Sequence, residues 1–250
     1  MSGSPSGLER TTVVERLKRV QNPTLRYLLL RTRASLHYAT HGHVVRRRLV
    51  RRHLAQTEHP RLQIGAGPLG LPGWLNSDLI AGDIYLDLVR PLALPDEGFA
   101  YAFGEHVIEH IPERTAFSLL RELHRILRPG GVLRLTTPDL QKLIAIYEDR
   151  NPVIDRESYS RWLSGLVGRP RERACQVLND NLRLWGHRYV YDEQDLTARL
   201  REAGFAEVRR EEPGQSGHEE LCGLERHGGE PWVNRAEAMC LEAVRGPVAG

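Results

Sequence analysis

The residues best suited to proton transfer lie in one short stretch, Gly104-Glu105-His106, with Glu109 and His110 close behind. An imidazole with an unperturbed pKa of about 6.5 can accept a proton near neutral pH, so His106 is the first candidate for a general base. Its alternative role is packing or capping. Glu105 is the second catalytic candidate, with cofactor binding as its alternative, and His110 is expected to be structural.

A second group of candidates lies further along the chain. His187, with Tyr189 and Tyr191, is a catalytic candidate that would line an acceptor pocket, and a fold-stabilising loop is the equal alternative. His218 with Glu219 is a weaker candidate. None of these histidines has the spacing of metal ligands on a common helix, so the sequence predicts no metal.

The elements that must position these residues alternate between strands and helices from residue 61 onward. Alternation of this kind is typical of a parallel sheet with helices on both faces. The predicted strands are residues 61–64, 74–79, 84–88, 99–103 and 132–136, and the predicted helices are residues 113–127 and 139–149.

Residues that could contact a ligand follow each predicted strand. Ligands of open α/β sheets bind beyond the carboxyl ends of the strands, so these residues are expected to share one edge. Glycines allow close approach to the backbone, and carboxylates can accept hydrogen bonds from an adenosine. The residues are Gly65-Ala66-Gly67, Asp78, Asp87, Gly104-Glu105-His106 and Thr137-Pro138-Asp139.

The segment after Gly67 distinguishes between two possible adenosine-containing ligands, a dinucleotide and S-adenosylmethionine. A dinucleotide fold needs a helix there to hold the pyrophosphate, but residues 68–73 contain two prolines and two glycines. Asp78 follows Gly67 by eleven positions, whereas the acidic residue of a dinucleotide fingerprint follows about 20 residues on. S-adenosylmethionine has no phosphates, so the pattern favours it over a dinucleotide.

The sequence resembles the class I, seven-stranded S-adenosylmethionine-dependent methyltransferases. More narrowly, it is similar to a type 11-like bacterial group found near glycosyltransferase and natural-product genes. The resemblance covers about residues 61–244. The stretches that carry it are residues 62–67, 72–78, 87–88, 105–111, 127–133, 137–140, 186–192 and 203–205.

The resemblance implies a Rossmann-like, doubly wound sheet and a set of cofactor contacts. Gly65, Ala66 and Gly67 would flank the methionine part of the cofactor, and Asp78 would bind its ribose. Asp87 and Leu88 would border the adenine. Gly104, Glu105 and His106 would face the methyl end. Gln63 stands where most relatives have Asp or Glu. The resemblance also implies a helix over residues 193–203 and two late antiparallel strands, 206–212 and 236–244.

The expected function is methyl transfer from S-adenosylmethionine, with S-adenosylhomocysteine as product. The expected acceptor is a small molecule, methylated on oxygen or nitrogen, such as a natural product or a sugar-containing metabolite. One alternative is a protein of this fold without methyl transfer, in a binding or cyclase-like role. The other is a methyltransferase associated with RNA or a membrane. Nucleic acid is not the expected partner, and a homodimer is left open.

The charge of the chain is uneven along its 250 residues. Residues 1–60 carry twelve Arg or Lys against three Asp or Glu, a net +9, although the whole chain has only +3. Three helices are predicted there, over residues 7–20, 23–38 and 43–56, as a basic extension or a lid. The favoured interpretation of the arginines is a solvated helix face, with RNA or anionic-membrane binding as the alternative.

The remainder, residues 61–250, is predicted to form the catalytic domain with a helical cap inserted at about residues 151–185. No apolar run approaches the roughly 18 residues of a membrane span, and residues 1–10 lack the apolar centre of a signal peptide. The expected location is therefore cytoplasmic. The three cysteines have no paired spacing and are expected to be free thiols.

Overall fold

The structure is a computed structural model that describes residues 25, 28, 29, 32, 43–79, 81–230 and 232–247. The helices expected over residues 7–20 and 23–38 lie outside this part of the chain, apart from four helical positions at 25, 28, 29 and 32. Helix α1 spans His43–Gln56, as expected. Its Val50 and Leu54 pack against the core, while Arg47, Arg48, Arg51 and Arg52 are exposed, which fits a solvated basic face.

Seven strands form one sheet in the order β3-β2-β1-β4-β5-β7-β6. Neighbouring strands are parallel except for β7, which runs antiparallel to both β5 and β6. The strands are β1 Arg61–Ile64, β2 Leu75–Asp78, β3 Ile84–Tyr85, β4 Phe99–Glu105, β5 Leu127–Pro138, β6 Phe205–Glu211 and β7 Ala238–Arg245. This is the expected seven-stranded, Rossmann-like sheet, and that prediction of fold class is confirmed.

Helices flank the sheet between these strands. Helix α2, Glu113–Ile126, buries a leucine stripe at helical spacing, and α3, Leu140–Tyr147, begins at Asp139, whose carboxylate caps Gln141 N–H. Short 3-10 turns lie at Ile108–His110, Leu184–Gly186 and Glu219–Leu221. The remaining helices are α4 Arg156–Val167, α5 Ala174–Arg183, α6 Glu193–Glu202 and α7 Val233–Glu237.

The sheet has a different apolar partner on each face. Because successive side chains of a strand point to opposite faces, Ala102 and Leu133 lie in the cluster with α2, whereas Phe103 and Val132 lie with Leu221 and Leu224. A separate cluster joins α3, α4 and α5 around the buried Tyr159 and Leu163. The expected cap region is thus helical and has its own small core.

The predicted bounds of two strands differ from the structure by three or more residues at one end. The third strand was predicted to reach residue 88, but β3 ends at Tyr85, so Asp87 lies in a turn beyond it. The Pro129-Gly130-Gly131 turn was predicted to precede a strand that starts at residue 132. It instead forms an irregular bulge inside β5, between the Phe99–Leu127 and Tyr101–Val132 pairs. Gly130 has φ +76° there.

Candidate functional site

The loop after β1 leaves open space beside its backbone. Gly67 has φ +52°, and no heavy atom lies within 4 Å of a Cβ built there. Gly65 has φ +62°, and a Cβ there would overlap Val107 Cγ2. Asp78, at the end of β2, accepts the Gly67 N–H at 3.1 Å and so fixes the loop across the sheet edge. The loop therefore has the shape of a cradle for a ligand.

Gln63 has a structural role beneath the same loop. Its side chain is buried, its Oε1 accepts the Leu71 N–H at 3.0 Å, and its Nε2 donates to the Leu69 carbonyl at 3.4 Å. Asn76 holds the same segment through an N–H···O contact of 2.8 Å from Leu71. A glutamine provides the donor that an acidic residue at this position lacks, which accounts for its presence here.

Asp87 and Leu88 lie next to helix α1, in the turn after β3. The Asp87 carboxylate is buried, accepts the Val89 N–H at 3.3 Å and lies 3.2 Å from Arg90 Nε. Leu88 packs against the main core. A narrow cavity of about 50 Å³ is lined here by Arg46, Tyr85 and Asp87 among others. The predicted adenine-bordering residues thus lie at the end of the sheet covered by α1.

The Glu105 carboxylate is bound by a late segment of the chain. Its oxygens accept the backbone N–H groups of Arg226 and His227, each at 2.8 Å, and Asn234 Nδ2 donates to it at 3.2 Å. All of these hydrogen-bond donors to the Glu105 carboxylate belong to the chain itself. Glu105 therefore positions the 226–227 backbone against the end of β4.

His106 lies at the centre of the site in a strained conformation. Its φ is +50°, in the left-handed region that few residues other than glycine adopt. Nδ1 lies 3.0 Å from Glu109 Oε1, Nε2 lies 3.5 Å from Asn234 Oδ1, and the ring stacks on His227 with centroids 3.7 Å apart. Burial acts to lower the pKa of His106, but the Glu109 carboxylate outweighs it, helped by Glu237 and Glu105, and the pKa is raised.

Glu109 connects His106 to the other predicted histidines. It is fully buried, and its Oε2 accepts the Thr137 hydroxyl at 3.0 Å. Its Oε1 lies 3.0 Å from His106 Nδ1, in an ion-pair contact. Burial acts to raise the pKa of Glu109, but the neighbouring imidazoles, His106 first, lower it to about 2. The carboxylate is therefore ionised and orients the His106 ring.

His187 lies on the far side of Glu109, against His110. The two rings meet edge to face with centroids 5.0 Å apart, and His187 Nδ1 is 2.6 Å from the Asn181 carbonyl. Burial lowers the pKa of His187. His187 and His106 thus flank the same carboxylate, which brings two of the predicted catalytic residues into one cluster.

Three residues of this cluster were absent from the sequence-based candidates: His227, Asn234 and Glu237. They come from the segment before β7, more than 100 positions beyond His106, and no motif marks them. Glu237 is buried, and the Tyr159 hydroxyl of α4 donates to its Oε2. His218, the weaker candidate, instead packs its ring against Tyr101. Only the packing of β7 between β5 and β6 brings these late residues to the site.

Comparison with known proteins finds solved structures that are similar to this chain in fold. No family model matches the sequence, and no curated protein matches it. A SAM-dependent methyltransferase from Archaeoglobus fulgidus is 16% identical, with 84% of this chain and 98% of that chain covered at a TM-score of 0.44. An S-adenosylmethionine-dependent methyltransferase from Mesorhizobium loti is 19% identical, with 74% and 90% covered at a TM-score of 0.43.

The CMeT domain of the citrinin polyketide synthase is 14% identical, with 76% of this chain and 47% of that chain covered at a TM-score of 0.45. Identities and TM-scores this low describe a similarity of fold alone. The strand order of the sheet comes from the structure of this chain. Among the described residues, no helix has both the length and the apolar character needed to cross a membrane.

Proposed function

We propose that this protein transfers a methyl group from S-adenosylmethionine to a hydroxyl group or an amine of a small molecule. The observation that carries the proposal is the open loop at Gly65–Gly67, held by Asp78, at the same carboxyl edge of the sheet as His106. This edge is where ligands of open α/β sheets bind.

The residues present fit this cofactor better than a dinucleotide. Residues 65–74, all described, form turns and no helix, so the loop offers no helix N-terminus to a pyrophosphate. The open space at Gly67 admits a ligand against the backbone. We propose that Gly65, Ala66, Gly67 and Gly104 line the methionine end, that Asp78 binds the ribose, and that Asp87 and Leu88 border the adenine.

The bound cofactor supplies a methyl group on a sulfonium, and in the transfer the acceptor–carbon bond forms as the carbon–sulfur bond breaks. Alignment of the two reactants can contribute about 7–11 kcal/mol to lowering such a barrier. We propose that His106 activates the acceptor, with Nδ1 held by Glu109 and Nε2 directed to the acceptor side. Glu105 positions the 226–227 backbone, and His187 supports Glu109 from behind. A natural product or sugar-containing acceptor remains a prediction.

The test is thermal unfolding of the purified chain with S-adenosylhomocysteine, and with NAD and NADP in parallel. A ligand at 100 times its dissociation constant adds about 2.7 kcal/mol to the free energy of unfolding. For a chain of this size that is a rise of about 5–10 °C in Tm. We expect the rise with S-adenosylhomocysteine alone. A rise with a dinucleotide alone would contradict the proposal, as would no rise with any of the three.

A further inference from the structure

Three side chains of the site form a donor set for a metal ion. His106, His227 and Glu237 each offer one ligand atom, and these atoms lie within 4.8 Å of one another. His227 Nε2 is 4.0 Å from Glu237 Oε1. Because His106 Nδ1 faces Glu109, Nε2 is the nitrogen that would bind the ion, in place of its 3.5 Å contact with Asn234 Oδ1. Two imidazoles and one carboxylate are the protein ligands of a common class of catalytic zinc site, which keeps a fourth position open.

Two of the three side chains have the supporting partners that metal ligands usually have. Glu109 faces Nδ1 of His106, the arrangement in which a carboxylate orients a ligating imidazole. Behind Glu237, the Tyr159 hydroxyl donates to Oε2 and lies 2.8 Å from Asn181 Oδ1, so Oε1 is the oxygen left toward His227. Glu109, Glu237 and Tyr159 are all buried, which fixes these orientations.

The backbone of His227 is held by contacts at its own N–H and at Glu225 just before it. Glu105 accepts the His227 N–H at 2.8 Å. Two positions earlier, Glu225 is bound by Arg134 Nε at 2.7 Å and by the Thr136 hydroxyl at 3.0 Å, both from β5. The backbone is therefore fixed over His106, while the His227 side chain itself is 42% exposed. The ring can turn without moving the segment that carries it.

We propose that His106, His227 and Glu237 bind a divalent transition-metal cation, with Zn²⁺ as the ion whose preferred ligands match, and that the acceptor is an oxygen nucleophile that takes the open position. A bound cation would make the hydroxyl acidic enough to release its proton to solvent at neutral pH, and the resulting alkoxide would attack the methyl group, so the ion would replace His106 as the activating group. This catalytic part rests on the proposed function, whereas the binding of the ion does not.

Ion binding requires a local rearrangement. Ligand distances of about 2.0–2.2 Å need the three donors to be closer together than they are. Two stacked rings also cannot both direct a lone pair at one ion, because each lone pair lies in its own ring plane. We therefore expect the His227 ring to rotate out of its 3.7 Å stack on His106.

The experiment uses the full chain, freed of metal with a chelator, and titrates it with Co²⁺ while the visible d–d absorption of the bound ion is recorded. We expect one Co²⁺ per chain and competition by Zn²⁺. His227→Ala should lower the affinity at least 10-fold, since even supporting partners of metal ligands contribute about 10–100-fold. His59→Ala, which removes an exposed histidine of the chain, is the matched control and should bind Co²⁺ like the wild type.

S-adenosylhomocysteine binding is measured calorimetrically on the same samples, with and without Co²⁺. Absence of Co²⁺ absorption, or equal absorption in the wild type and His227→Ala, would overturn the metal site whatever the cofactor result. Co²⁺ binding that His227→Ala abolishes would support the site. If the same protein failed to bind S-adenosylhomocysteine, the proposed function would be overturned and with it the catalytic role of the ion.

Discussion

His106 is the residue on which the chemistry of this site depends most directly. Its left-handed backbone and the Glu109 contact place the ring at the junction of β4, β5 and the late segment. We expect His106→Ala to lower turnover of a hydroxyl acceptor by about 10²–10⁴-fold. The affinity for S-adenosylhomocysteine should stay nearly unchanged, because the substituted ring does not belong to the proposed cofactor contacts.

Asp78→Ala should lower the affinity for the cofactor, which His106→Ala should leave nearly unchanged. It removes the carboxylate proposed for the ribose and the acceptor of the Gly67 N–H. Hydrogen bonds to charged groups contribute about 1.5–3 kcal/mol, so calorimetry should show cofactor binding weakened by at least 10-fold. Equal effects of the two substitutions on turnover and on cofactor affinity would contradict this division of roles.

Residue types and local spacing were sufficient to predict that the glycine loop, Asp78 and His106 share one edge of the sheet. The glycine loop, Asp78 and His106 were predicted because each follows a short apolar strand, and parallel strands present their carboxyl ends at one edge. His227, Asn234 and Glu237 could not be predicted in this way. Their place depends on which late strand enters the sheet and where, and no feature of residues 226–237 encodes that pairing locally.

Among the elements, the loop after β1 has two glycines whose substitution is restricted for different reasons. Gly65 and Gly67 both have positive φ, but a Cβ at Gly65 would overlap Val107 whereas a Cβ at Gly67 would meet no atom. Gly67→Ala should cost about 1–3 kcal/mol of unfolding free energy from backbone strain alone. Gly65→Ala should cost more, because Val107 must also move.

Denaturant unfolding of the two variants checks this comparison, with a change in the midpoint at constant slope as the measure of stability. Gly67→Ala should in addition weaken S-adenosylhomocysteine binding, because its methyl group enters the space assigned to the ligand. Equal stability of the two variants would show that Val107 imposes no constraint on the loop.

Predictions of the elements were most accurate where hydrophobic periodicity was strong. Helix α2 was predicted over residues 113–127 and spans Glu113–Ile126, because its leucine stripe repeats at helical spacing. Strand β3 was predicted too long: Leu86 still donates its N–H to the Asp78 carbonyl at 3.3 Å, but the paired register ends at Tyr85, and Leu86 and Leu88 are apolar because they pack into the core. Apolar side chains in a sequence indicate that a segment is buried. Burial alone does not distinguish a strand from a buried turn.

For the whole molecule, the sheet depends on its last strand. Strand β7 pairs with β5 over residues 132–138 and with β6 over residues 205–211, so it forms the only link between β6 and the other strands of the described sheet. Removal of residues 238–250 should abolish cooperative unfolding, because it leaves the backbone edges of β5 and β6 without their hydrogen-bonding partner. Circular dichroism during thermal denaturation measures this directly.

A matched control removes only residues 248–250, which lie beyond β7, and should unfold cooperatively near the wild-type Tm. Cooperative unfolding of the longer truncation would contradict a sheet order in which β7 lies at an interior position.

The interior position of β7 also has a consequence for the protein during its synthesis. A ribosome delivers the chain in order, so β5 and β6 are both synthesised before the strand that joins them. Residues 139–237 must wait as partly folded segments until that strand emerges from the exit tunnel. The nascent chain therefore has an interval in which two unpaired strand edges are open to chaperones or to aggregation, and fast translation of residues 212–245 would shorten it.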